Sequence, residues 1–104
     1  MSEIEPSPRE ALLLELVRQL LAGDISQGAL LQRLRKEALG LSQEQYAKLV
    51  DVSRRTLSAI ENGSAQPTQT VLDAVFRPLG LRSALLPRSP ELLSLLLASS
   101  TPEV

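Results

Sequence analysis

Residues 41–63 read LSQEQYAKLVDVSRRTLSAIENG, and the order of caps, apolar positions and stops in this stretch decides the fold. Ser42 stands three residues before Gln45, the spacing of a capping box in which the two residues satisfy each other's backbone N–H groups. A helix therefore starts here and runs through Tyr46, Ala47 and Val50. Asp51-Val52 leaves room only for a very short connection before Ser53 caps a second helix over 54–61. In that helix Leu57 and Ile60 share the inward face, while Arg54, Arg55, Ser58 and Asn62 point outward. Asn62-Gly63 ends it, because glycine takes the left-handed conformation of a helix stop without steric cost. Two short helices joined so tightly must cross closely. Ala47 supplies the small side chain at the crossing, and Val52, Leu57 and Ile60 lock the second helix onto the first.

Outward from this core, a preceding helix capped by Asp24 or Ser26 places Leu30, Leu31, Leu34 and Ala38 on one face and stops at Gly40. Arg33, Arg35 and Lys36 read as ordinary solvated helix surface. Further upstream, Ser7-Pro8-Arg9-Glu10 is a second capping box with proline at the first helical position. Leu13, Leu16, Val17, Leu20 and Leu21 follow at helical spacing, and Ala11, Leu12 and Leu14 widen the apolar face enough for contacts on two sides. Downstream, Thr68 starts a helix whose Val71, Leu72, Val75, Phe76 and Leu79 face inward and which Pro78 bends or ends. Residues 81–86 hold no β-branched side chain and give only a slight strand signal. Ser89-Pro90-Glu91 opens a last helix made largely of leucine. Tyr46, the only tyrosine, reads as a core filler.

A chain of 104 residues suits one domain. With 43% hydrophobic against 22% charged residues it is too apolar for a disordered tail, yet no apolar run approaches the roughly 18 residues of a membrane span. The N-terminus opens on Glu3 and Glu5 instead of a basic region, so no secretory signal is expected and the expected location is cytoplasmic. The absence of cysteine and histidine excludes disulfides, thiolate and imidazole metal sites and Ser-His catalysis. The acidic residues are scattered, with none beside a nucleophile or a glycine-rich phosphate cradle. No catalysis, cofactor or metal is expected.

The net charge of −1 argues at first against nucleic acid, whose phosphates call for a surplus of Lys and Arg. The average conceals a segregation. Residues 1–24 carry −3, residues 25–88 carry +4 from nine basic against five acidic side chains, and residues 89–104 carry −2. The positive centre coincides with the paired helices, whose spacing is that of a helix-turn-helix. The second helix of such a unit stands clear of the domain, leaving Arg54, Arg55 and Ser58 free to enter a major groove about 12 Å wide.

The order LSQEQYA, VSRRTLSAIENG, then Pro67-Thr68, an apolar helix and LGL at 79–81, resembles the Xre/Cro-type repressor family over about half the chain. The resemblance implies an all-α, lambda-repressor-like bundle of about five helices that binds double-stranded operator DNA as a homodimer. It implies base contacts from Arg54, Arg55, Thr56, Ser58 and Ala59, and phosphate contacts from Ser42, Gln43, Ser53, Asn62 and Ser64. Arginine pairs bidentately with guanine, so Arg54 and Arg55 lead the base readers, and Ala59 suits a thymine methyl. Ser42 and Gln43 also fit a capping role alone.

This sequence departs from the family pattern at Asp51, where the turn often has glycine, and at Pro78, where the last core helix usually continues. The stretch FRPLGLRSALLPR at 76–88 resembles the C-terminal edge of HipB-type antitoxins, which implies a short intersubunit strand at 82–86. Three regions result: an N-terminal helical extension (1–26), the helix-turn-helix domain (27–81), and a C-terminal dimerisation or partner-binding extension (82–104). The leucine-rich ends read as dimer surface. Intramolecular packing, a toxin or other partner protein, and a protease-sensitive tail at 98–104 are the alternatives. The expected function is an autoregulatory transcriptional repressor. An antitoxin that binds operator and toxin is the second reading, and a protein-interaction module without DNA binding the third.

Overall fold

The computed structural model describes residues 5–99. Helix α1 spans Pro8–Leu21. Helix α2 spans Gln27–Arg33 and continues as a widened π-helical segment, Leu34–Leu39. Helices α3 (Gln43–Val50) and α4 (Arg54–Asn62) follow, then α5 (Gln69–Phe76), which tightens into a 3-10 turn (Arg77–Leu79), and α6 (Pro90–Ser99). The described residues contain no strand.

Local chemistry sets the boundaries. Ser7 and Ser42 each complete a capping box, with Glu10 and Gln45 respectively, while Ser26, Ser53 and Thr68 cap α2, α4 and α5 through their hydroxyl oxygens. Of the two candidate caps for α2, Ser26 is the one used. Asp51 ends α3 in the left-handed conformation (φ 61°) that the missing glycine required of it. The turn then closes through the Val52 N–H, which donates to the Ala47 carbonyl. The α-helical hydrogen bonding of α5 ends at Phe76, just before Pro78, which has no N–H to continue it.

Leu30, Leu31 and Leu34, Tyr46, Ala47 and Val50, Leu57 and Ile60, and Val75, Phe76 and Leu79 form one core, matching the inward faces read from the sequence. The Tyr46 hydroxyl donates to the Val75 carbonyl and ties α3 to α5. Helix α1 adds more than an appendage would. Leu16 is fully buried in the same core, with Leu12, Leu13, Val17 and Leu20 packed against it, so intramolecular packing occupies one face of this helix.

The other end differs. Residues 81–87 have irregular backbone, and in the single chain the 82–86 segment forms no ladder. Ser83 donates to Asp73 of α5 at 2.8 Å, whereas Leu85 is entirely exposed. Helix α6 contributes nothing to the core cluster, and Leu92, Leu95, Leu96 and Leu97 are exposed. The tail proposed at 98–104 lies, beyond Ser99, outside the described residues.

One reading of the 27–39 helix is corrected. Arg35 is not solvated surface: only 3% of it is exposed, and its side chain points into the protein beneath α3 and α4. Arg33 keeps its surface role and pairs with Glu37 at 2.8 Å.

Candidate nucleic-acid interface

Helix α4 is nine residues long, and an α-helix with its side chains, about 10–12 Å across, fits a major groove about 12 Å wide. Leu57 and Ile60 anchor its inner face, which leaves Arg54 and Arg55 exposed in its first turn. Among the described residues neither arginine is held by a carboxylate, so both guanidiniums keep their donors. Arg54, Arg55, Ser58, Ala59, Asn62 and Ser64 line one shallow cleft along the outer face of the helix. Four of the five expected base readers thus fall together, alongside two of the expected phosphate contacts.

Thr56 sits apart from that cleft. Its backbone N–H donates to the Ser53 hydroxyl oxygen at 3.0 Å, and the Ser53 hydroxyl donates to the Thr56 hydroxyl at 2.9 Å, so this pair builds the N-cap of α4. At the far end, Gly63 in the left-handed conformation turns the Ser64 N–H back to the Ala59 carbonyl and to Asn62 Oδ1. The Asn62 oxygen is therefore engaged, and its amide N–H groups remain for a ligand.

A second hollow adjoins the first through Arg54. It is lined by Gln32 and Lys36 of the α2 segment and by Ser42, Gln43 and Glu44 at the start of α3. Ser42 accepts from the Gln45 N–H at 3.1 Å, which confirms its capping role and leaves its own proton free to donate. Lys36 is exposed here and adds positive charge, with Glu44 opposing it.

Beneath this hollow lies the feature that sequence reasoning missed. Arg35 and Glu61 form a buried bidentate pair, with Nε to Oε2 at 2.7 Å and Nη2 to Oε1 at 2.9 Å. Arg35 Nη1 also donates to the Leu41 carbonyl at 2.8 Å, and Gln43 Nε2 donates to Glu61 Oε1 at 2.9 Å. The pair thereby joins the end of the α2 segment, the start of α3 and the end of α4. Its signal was present in the sequence: Arg35 follows Leu31 by four residues and Glu61 follows Leu57 by four, so each charge sits on an apolar stripe. The Glu61 carboxylate and, more strongly, burial push the Tyr46 hydroxyl up to about 12.

No group of three or more potential metal ligands gathers among the described residues, and both hollows are open to the surface. What the surface offers is donors: guanidiniums, amides and hydroxyls facing outward over two adjoining hollows. Such an array matches phosphate oxygens and the acceptor edges of bases.

Comparison with known proteins agrees with this geometry. A family model described as "Helix-turn-helix" matches residues 31–86. The Control protein C.MunI of Mycoplasma sp. is 39% identical over 54 residues, covering 52% of this chain and 73% of the relative. No solved structure gives a significant match.

Proposed function

This chain belongs to the helix-turn-helix family and is a DNA-binding transcription regulator, and from that premise we propose that it represses transcription as a homodimer on a palindromic operator, including one in its own upstream region. The observation that carries this reading is the cleft on the outer face of α4, where Arg54, Arg55, Ser58 and Ala59 converge without an opposing carboxylate. Ser42, Gln43, Asn62 and Ser64 flank it as phosphate contacts, and Ser53 and Thr56 support it from the cap. Affinity comes from the phosphates and falls with salt, while sequence choice comes from the two arginines. Among the described residues no helix is long and apolar enough to cross a membrane, and a cytoplasmic site of action accords with DNA as the partner.

The exposed leucines of α6 favour a protein contact beyond DNA, and self-association is the use proposed for them. The second reading assigns the same surface to a toxin and makes the protein an antitoxin. Titration of the protein against its upstream DNA and against scrambled DNA of equal length, at two salt concentrations, tests the regulatory role. Tighter binding to the upstream duplex that persists at the higher salt is the expected result. Replacing Arg54 and Arg55 with alanine should erase that preference, and an unchanged preference would refute the assignment of base reading to them.

A further inference from the structure

Of the ten residues expected at the DNA, Gln43 is the one whose side chain is bonded to a buried charge. Its Nε2 meets Glu61 Oε1, the oxygen that also accepts from Arg35 Nη2, while Arg35 Nε holds the other oxygen and Nη1 grips the Leu41 carbonyl. A carboxylate only accepts hydrogen bonds, so the Gln43 amide cannot turn its oxygen toward Glu61 without setting two acceptors face to face. This fixes which end of the amide points inward. One N–H is engaged by Glu61, the second is left to donate to a ligand, and Gln43 lines the hollow shared with Ser42, Lys36 and Arg54. Rotamer freedom that an unrestrained glutamine would lose on gripping a phosphate is here lost on folding, which is preorganisation of the donor.

We propose that Glu61, steadied by Arg35, is a positioning residue for DNA binding: from the end of α4 it aims the Gln43 amide N–H at a DNA phosphate, so that the recognition helix and the phosphate grip dock as one unit. An ion pair present only for stability needs no third partner at the surface. Here the third partner is the residue that opens α3, and it sits at the rim of the donor array. The inference rests on the reading of Gln43 as a phosphate contact.

Four proteins test it: the unaltered chain, Gln43→Ala, the paired change Arg35→Leu with Glu61→Leu, and all three changes together. Removing both charges at once leaves no orphaned buried ion. Because phosphate contacts are independent of sequence, the probe is random-sequence duplex DNA at low salt, beside the upstream duplex. Gln43→Ala should weaken binding roughly fivefold to tenfold, the leucine pair by a similar factor, and the triple change no further than the pair. Losses that multiply would overturn the proposal, since Gln43 would then act without Glu61. No loss from Gln43→Ala would overturn it as well, and a loss of preference for the upstream duplex in Arg54→Ala separates that outcome from a failure of the DNA-binding reading altogether. If the leucine pair does not fold, nitrogen relaxation of the Gln43 side-chain amide in the unaltered protein decides. Order close to that of the backbone supports the proposal, and motion equal to that of the exposed Gln69 overturns it.

Discussion

Gly28 lies directly against the backbone carbonyl of Glu61, so closely that a Cβ at position 28 would overlap that oxygen and stand 2.5 Å from the Ile60 oxygen. The first turn of α2 thus crosses the last turn of α4 at backbone distance, and neither carbonyl can swing aside as a side chain would. Gly28→Ala is expected to destabilise the fold by about 2–3 kcal/mol, at the upper end of overpacking costs, despite alanine's better helix propensity. Chemical denaturation reads this directly. A variant as stable as the parent would mean that α2 and α4 slide apart freely, and the register of the recognition helix would then not depend on this contact.

Arg35→Ala leaves the Glu61 carboxylate buried without its cation and should cost about 3–5 kcal/mol. Replacing both residues with leucine should recover most of that loss, because no charge is then stranded. The exposed pairs Arg18–Glu15 and Arg33–Glu37 provide the contrast: alanine at either arginine should leave the melting temperature unchanged within error, since solvent screens these pairs. Thermal melts of the four variants separate the two classes of ion pair.

Tyr46 makes stability depend on alkali. Burial first, and the Glu61 charge second, raise its hydroxyl to about 12, while the unfolded chain ionises near 10. The folded state therefore holds the proton more tightly. The contribution is fully present below pH 10 and is lost as pH rises from about 10 to about 12. Tyr46→Phe should flatten the part of the alkaline slope that this group causes, and at neutral pH should cost about 1 kcal/mol for the bond to the Val75 carbonyl. Melting curves across that pH range, parent against variant, check both effects.

The parts of this architecture legible in the sequence are those set by neighbouring residues. Ser42 with Gln45, Ser53, Gly63 and the inward Leu57 and Ile60 act within one or two turns, so the two helices of the motif and the tight turn between them could be read directly. The outward placement of Arg54 and Arg55 followed from the same periodicity. Arg35 and Glu61 are 26 positions apart, and only the packed fold brings them together. Either alone resembles a surface charge unless its place on an apolar stripe is given weight. The burial of Leu16 was hidden for a related reason: a helix's own pattern shows that it has an apolar face, not which element covers it. The two-sided apolar width of α1 was the accessible hint.

Asp51 holds the left-handed conformation at the end of α3 with φ 61° and ψ 45°, a state a side chain tolerates at some cost, and it places a carboxylate where the helix dipole is negative. Asp51→Gly removes both penalties. The gain should be about 0.5–1 kcal/mol after allowing for the extra freedom glycine has when unfolded. Because Asp51 lines neither hollow, DNA affinity should change little. A higher denaturation midpoint with unaltered binding is the expected pair of results, and a loss of stability would show that the aspartate makes a compensating interaction in the turn.

Helix α6 and the core should respond independently to substitution. Leu92 and Leu95 are 57% and 65% exposed, and no residue of α6 belongs to the core cluster, whereas a fully buried leucine such as Leu16 contributes both transfer and packing energy. Leu16→Ala should cost about 2–5 kcal/mol. Leu92→Gln with Leu95→Gln should change the stability of the dilute protein by less than about 0.5 kcal/mol per site, because exposed leucines lose little on replacement. If α6 mediates self-association, the same double change should also shift sedimentation toward the monomer and remove the concentration dependence of melting. A large loss of stability that is independent of concentration would instead mean that α6 packs on its own chain in solution.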